Sequence, residues 1–206
     1  MVQLEQVKVF QECLRKEMST YGVQPSPPMV EQLGSYYELL LRWNERLHLV
    51  APCSAEEFAT RHILESLTLL EFLPENTRFA DVGAGAGLPS IPCLLVREDL
   101  SADLIESKIK KSAFLAAAIE KLELTGRTNV LNRQFEETSP GEASMITCRA
   151  LDKFSEKLPR LIKWSKGRPL LLFAGPDLRA EIEKFRTIDR EQLMPLSERR
   201  YLFVTK

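Results

Sequence analysis

Arg78-Phe79-Ala80-Asp81-Val82-Gly83-Ala84-Gly85-Ala86-Gly87-Leu88-Pro89-Ser90-Ile91-Pro92 is the stretch from which the rest of the chain can be read. Phe79 to Val82 is a short apolar run that predicts a buried strand. It breaks into three alternating glycines, which neither a strand nor a helix favours. Pro89 and Pro92 follow at a spacing that suits the first turn of a helix. Ala102-Asp103-Leu104-Ile105 then predicts a second strand, which ends on the acid Glu106. Strand, glycine loop, helix, strand and acid in that order bring a backbone close to a nucleoside and set a carboxylate against its ribose hydroxyls.

A dinucleotide fingerprint has G-x-G-x-x-G, with the helix N-terminus facing a pyrophosphate. Here Gly83, Gly85 and Gly87 follow G-x-G-x-G, and Leu88 takes the place of the third dinucleotide glycine. Asp81 stands two residues ahead of the first glycine. This acid-x-Gly-x-Gly-x-Gly order resembles motif I of the S-adenosylmethionine (SAM) methyltransferases. SAM carries an ammonium group and no phosphate, so an acid near the loop suits it. A tight strand-to-helix turn with no ligand and an NAD-dependent oxidoreductase are the competing readings.

With 206 residues the chain has room for one sizeable domain, or a domain with an added cap. Its composition is that of a soluble globular protein, and no apolar run approaches the length of a membrane span. The first residues lack the basic and apolar regions of an export signal, so a cytoplasmic location is expected. Cys13, Cys53, Cys93 and Cys148 are far apart and form no C-x-x-C pair, and His48 and His62 do not have metal-ligand spacing, so no metal is expected. Net charge is −1, but it is unevenly spread. Residues 1–75 carry 6 Lys/Arg against 11 Asp/Glu, whereas residues 149–170 carry 7 against 2. Such a basic segment is either a solvated helix face or the footprint of a phosphate backbone.

Periodicity predicts helices over 2–21 with Gly22 as C-cap, over 27–47 with Ser26 and Pro27 at its start, and from the Ser54/Glu57 capping box through Leu70. From residue 79 the pattern alternates. Strands are expected at 79–82, 102–106, 129–131, 145–147, 170–173 and 201–204. Helices are expected at 89–97, 108–123 with Ser107 as cap, 154–164 and 177–185. This is an α/β, Rossmann-like, mostly parallel sheet with an antiparallel last strand. Residues 1–75 are expected to form a helical cap, and 76–206 a SAM-binding domain. Right-handed crossovers would bring the glycine loop and Glu106 together at the carboxyl edge of the sheet.

Four stretches together resemble one family: Leu41-Arg42-Trp43-Asn44, Arg61-His62-Ile63-Leu64-Glu65-Ser66-Leu67, Asp81 to Pro92, and Cys148-Arg149-Ala150. It is the RsmG (GidB) family of bacterial 16S rRNA guanine-N7 methyltransferases. The resemblance spans nearly the whole chain and implies 16S rRNA, or the 30S particle, as partner. It implies SAM contacts from Gly83 and Leu88 in the loop, Glu106 at the ribose, Phe135 and Glu136 beside the adenine, and Arg149 after the fourth strand. Arg200 matches a basic residue on the RNA side, and Arg199 and Lys153 join it as expected RNA contacts. Asp81, Gly85 and Gly87 complete the expected cofactor site. The chain departs from the family pattern in four places. His48-Leu49-Val50 stands for Asn-Leu-Thr, Ser90 for a glycine, Phe173-Ala174-Gly175 for Leu-Lys-Gly, and Tyr201 for a histidine.

Guanine N7 has a lone pair and no proton, so methyl transfer to it needs positioning and exclusion of water but no general base. No catalytic acid–base residue is therefore expected. The Asn/Asp-Pro-Pro-aromatic signature of exocyclic-amine methyltransferases is missing after the fourth strand. Cys148 reads as a buried residue rather than a nucleophile. His62 reads as helix packing and Trp43 as core. A binding protein that kept SAM but lost catalysis is a further reading, motivated by Ala174. The chain is expected to act as a monomer and not at a membrane.

Overall fold

The computed structural model describes residues 2–149 and 153–206. Ala150, the last residue of the Cys-Arg-Ala stretch, lies outside them. Seven strands form one sheet: β1 (Arg78–Val82), β2 (Ser101–Ile105), β3 (Thr128–Leu131), β4 (Met145–Arg149), β5 (Leu170–Ala174), β6 (Ile188–Leu193) and β7 (Tyr201–Thr205). Their order is β3-β2-β1-β4-β5-β7-β6. The first five are parallel, and β7 runs antiparallel to both β5 and β6. Strand order reverses between β1 and β4, which opens a crevice beyond their carboxyl ends.

Side chains alternate across the strands and so feed two cores. Phe79, Leu104, Leu171 and Leu202 face the helical third of the chain, α1 (Val2–Glu17) and α2 (Pro27–Leu47), together with Phe114. Within that third, Phe10 stacks on Tyr37 at 4.4 Å, and Tyr37 meets Phe58 at 4.7 Å. Val82, Ile146, Cys148, Leu172 and Phe203 face the other way, onto Leu158, Leu161, Leu178 and Ile182. Among the described residues no helix is long and apolar enough to cross a membrane.

Three local features differ from the periodicity. β6 was not expected, because Ile-Asp-Arg-Glu-Gln-Leu lacks an apolar face; it is an edge strand, where charge discourages pairing with another chain. The helix after β2, α6 (Ile109–Lys121), does not start at Ser107: Lys108 holds the cap position, and the Glu106 carboxylate accepts from the Lys108 amide at 2.8 Å. The run that starts at Ser54 changes pitch. Ser54 Oγ accepts from the Glu57 amide at 3.1 Å, as a cap should. A short α turn, α3 (Ala55–Glu57), leads into a π-helix over Phe58–Leu64, then α4 (Glu65–Leu67), then a 3₁₀ turn over Thr68–Phe72. Thr60 Oγ1 bonds back to the Glu56 carbonyl at 2.9 Å and to that of Glu57 at 3.3 Å, in competition with the regular ladder.

Candidate cofactor and acceptor site

The glycine loop follows β1 and leads into α5 (Ser90–Val96). Gly83, Gly85 and Gly87 all have left-handed φ, at 76°, 54° and 82°. The amides of Gly83 and Ala84 both donate to the Ile105 carbonyl, at 2.9 and 3.1 Å, which ties the loop to the end of β2. A Cβ on Gly87 would sit 2.3 Å from Ile91 Cδ1, so that glycine is required by packing. A Cβ on Gly85 would make only ordinary contacts, the nearest to the Gly83 carbonyl oxygen at 3.6 Å, and the residue borders a concavity. From the other side, Tyr36 of α2 props the loop, its hydroxyl donating to the Ala86 carbonyl at 2.7 Å.

Glu106 is 6% exposed. Its Oε2 accepts from the Gly85 amide at 3.0 Å, and its Oε1 from the Lys108 amide at 2.8 Å. Each oxygen keeps a further lone pair for an incoming hydroxyl. Asp81, expected beside an ammonium group, is buried beneath the loop. Its Oδ2 accepts from the Ser90 hydroxyl, while Oδ1 has no partner. Burial is the largest influence on this carboxyl and pushes its pKa up to about 7, with the Glu106 charge adding to the rise and the Ser90 bond opposing it.

Arg149, at the end of β4, gathers the Arg-His-x-x-Glu-Ser stretch around its guanidinium. It donates to the Arg61 carbonyl at 2.6 Å, the Ser66 hydroxyl at 3.0 Å and the His62 carbonyl at 3.4 Å, and it lies 3.5 Å from Glu65. Its other face covers the Phe173 ring at 5.4 Å. Arg200 reaches the same Glu65 carboxylate at 2.7 Å. Glu65 is buried, and that burial outweighs Arg200, Arg149 and Arg61, so its pKa is raised. The stretch is therefore a receptacle that fixes the helical third onto the carboxyl end of β4 and the amino end of the antiparallel β7, which lie at the same edge of the sheet. Asn44 does similar work one step earlier: its side-chain amide brackets Val50, accepting from its N–H at 2.9 Å and donating to its carbonyl at 3.1 Å. Trp43 is partly buried and lies edge-on to Phe114.

Three concavities run along this edge. The first, of about 30 Å³, is lined by Gly83, Ser107, Phe135, Glu136 and Lys157. The second, of about 250 Å³, is lined by Val50, His62, Gly83, Gly85, Lys111 and Arg149. The third, of about 500 Å³, is lined by Arg61, His62, Arg149, Ala174, Arg200 and Tyr201. Neighbours share residues: Gly83 joins the first to the second, and His62 and Arg149 join the second to the third.

The expected site residues are distributed unevenly over this trough. Gly83, Gly85, Leu88 and Arg149 line the second concavity, and Phe135 and Glu136 the first. Phe135 also packs edge-on against Trp164, and Glu136 pairs with Arg160 at 3.2 Å. Gly87, packed on Ile91, and Asp81, beneath the loop, do not line the trough. Arg200 lines the third concavity, whereas Lys153 is exposed and pairs with Glu156 at 3.7 Å, and Arg199 is exposed on the turn before β7. Sequence reading passed over Lys111 and Lys157 as members of the trough and His62 as its junction. The lysines occur in ordinary helical surroundings, and nothing in the sequence marks the π turn.

The family model for rRNA small subunit methyltransferase G (GidB) matches residues 29–194. A small-subunit methyltransferase G from Syntrophotalea carbinolica is 33% identical over 181 residues, covering 84% of this chain and 82% of that protein. One from Chromobacterium violaceum is 33% identical over 157 residues, 75% of each chain. The chain belongs to the GidB family. Among solved structures, an RNA methyltransferase from Salinibacter ruber in complex with S-adenosyl-L-homocysteine superposes with a TM-score of 0.53 at 17% identity, covering 66% of this chain and 84% of that one. A Streptococcus agalactiae protein of the NADB-Rossmann superfamily gives 0.58 at 18% identity, covering 69% and 67%. These two share the fold. Family and fold together make this GidB member a SAM-dependent methyltransferase.

Proposed function

We propose that this chain transfers a methyl group from SAM to N7 of a guanine in small-subunit ribosomal RNA. The observation that carries the reading is the row of neighbouring concavities, in which a smaller one at the glycine loop, assigned to the donor, shares His62 and Arg149 with a larger, cation-lined one, assigned to the acceptor. SAM fits the residues present. Glu106 has lone pairs left for a ribose diol, Gly85 lines the second concavity beside it, and the space next to Phe135 and Glu136, about 30 Å³, must widen to admit an adenine. Asp81 supports the loop through Ser90 from beneath. Bound SAM supplies an electrophilic methyl carbon on a cationic sulfur. The protein's part is to hold the guanine in line and exclude water, since N7 has no proton to remove.

Lysine in the family pattern stands where this chain has Ala174, on the wall of the acceptor cavity. Of the cations that could replace it, Arg200 lines the same cavity, whereas Lys153 and Arg179 do not. Arg200 is therefore the replacement we favour, with Arg199 beside it on the RNA-facing turn. The test is tritiated SAM with 30S particles lacking the modification, followed by mapping of the methylated base. Wild type should methylate a single guanine, and Ala174→Lys should change the rate by no more than about tenfold, or about 1.4 kcal/mol in barrier. An inert wild type restored by Ala174→Lys would make the protein a binding remnant. If both stayed inert while SAM still bound, the acceptor would be a different base.

A further inference from the structure

Among the described residues, His62 and Arg149 alone line both the second and the third concavity, the donor and acceptor spaces of the reading above. The two are not equally available. Arg149 spends its guanidinium on Arg61, His62, Glu65 and Ser66. The His62 ring makes no hydrogen bond or ion pair to any described residue, and packs on Phe58 with ring centroids 5.1 Å apart. An imidazole seated by an apolar contact, with both nitrogens unspent, stands at the neck between the two spaces. Burial, and then the charges of Arg149, Arg61 and Arg200, push its pKa down to about 4, so the ring is neutral near pH 7. A neutral imidazole carries one N–H donor and adds no positive charge beside a sulfonium.

The major-groove edge of guanine presents two acceptors, N7 and O6. N7 must stay open to receive the methyl group, so a contact that orients the base without blocking it has to be a donor aimed at O6. Adenine carries an amino donor at that place, which the N–H that serves O6 does not match. Resting on the guanine reading above, we propose that His62 contacts the acceptor base, donating its ring N–H to O6 so that N7 faces the donor space. It is a specificity contact and transfers no proton.

A cycle of enzyme and base substitutions tests this. Wild type, His62→Phe and His62→Gln are assayed on particles carrying guanine or 2-aminopurine at the mapped position; 2-aminopurine keeps N7 and lacks O6. Wild type should lose about 10- to 100-fold in kcat/KM on 2-aminopurine, the scale of a hydrogen bond left unmade in a closed site. His62→Phe should lose as much on guanine and nothing further on 2-aminopurine, while His62→Gln, which retains an N–H, recovers most of the rate. SAM affinity and melting temperature should match wild type, and His62→Leu replaces the Phe variant if that one does not fold. Wild-type kinetics in His62→Phe, additive losses in the cycle, or a fall in SAM affinity equal to the fall in rate would each overturn the inference. A wild type inactive on guanine particles would overturn the guanine reading and this contact with it. Additive losses in an active wild type would overturn only the contact.

Discussion

On the β1–β2 side of the crevice, the loop that lines the concavities and the carboxylate that holds it come from one short piece of chain. Gly85 and Glu106 are 21 residues apart, and the bonds that set them run from backbone amides to a carboxylate and a carbonyl. On the β4–β7 side, Glu65 and Arg200 are 135 residues apart, and Arg149 and Arg61 are 88 apart. There the bonds run from two guanidinium groups to a buried carboxylate, a hydroxyl and backbone carbonyls, and join helix to sheet. The donor half is thus set by local backbone geometry, and the acceptor half by long-range charge pairing. The first should resist changes elsewhere in the fold; the second should depend on every partner.

The largest effect should come from the acceptor half. Glu65→Ala would leave the buried Arg149 and the half-buried Arg200 without their shared carboxylate. Removing one member of a buried charge cluster costs about 3–5 kcal/mol, so urea unfolding should show a loss of that order. A loss below 1 kcal/mol would mean that the helical third is held by its apolar core alone. In the donor half, Glu106→Ala should weaken SAM binding by about 1.5–3 kcal/mol, as for a charge-assisted hydrogen bond, with RNA affinity unchanged. Unaltered affinity by calorimetry in a folded variant would remove Glu106 from the ribose site.

The two glycines divide the same comparison more finely. Gly87→Ala should lower stability by about 2–4 kcal/mol, because strain at positive φ adds to overpacking against Ile91. Gly85→Ala should cost only the strain, about 1–2 kcal/mol, yet lower SAM affinity more than Gly87→Ala does. Equal effects on binding would contradict the difference in access.

A further effect, seen only as a change with pH, concerns Asp81. The folded state holds a proton on Asp81 that the unfolded chain releases, since the carboxyl rises from 3.8 to about 7 on burial. Its contribution to stability is therefore complete below about 4 and fades as pH rises toward 7. His62 works in the opposite direction over part of that range. Its contribution is present above about 6.5 and lost as pH falls toward 4. Asp81→Asn should remove only the first slope, so the gap between variant and wild type should move in favour of the variant as pH rises. A gap independent of pH would place a permanently charged carboxylate under the loop.

The same division explains what could be read from the sequence. Apolar runs and alternating glycines announce β1, the loop and β2 because each is a local signal. The edge strand β6 was silent because its half-exposed residues have no need to be apolar. Ser107 misled because a carboxylate one residue earlier had already taken the Lys108 amide. Arg149 could be placed at the crevice from its position at a strand end, but its bonding to Arg61 and Ser66 could not, since nothing local pairs residues more than 80 apart. His62 read as helix packing, and it does pack on Phe58; only the pitch of the surrounding turn brings it to the junction of two cavities as well.

That turn also bears on how the chain can change length. Each residue of a helix turns the next by about 100°. Deleting one residue between Phe58 and Leu64, or adding one, would swing everything downstream by about that angle. Glu65 would then point away from Arg149 and Arg200, and Ser66 away from Arg149. Insertions among the exposed Glu183, Lys184 and Phe185, ahead of the Arg186 bonds to Ser165 and Lys206, rotate no buried ion pair. Among natural variants of this chain, length differences should therefore gather in that segment and be missing from residues 58–66, even where side chains in both regions vary freely.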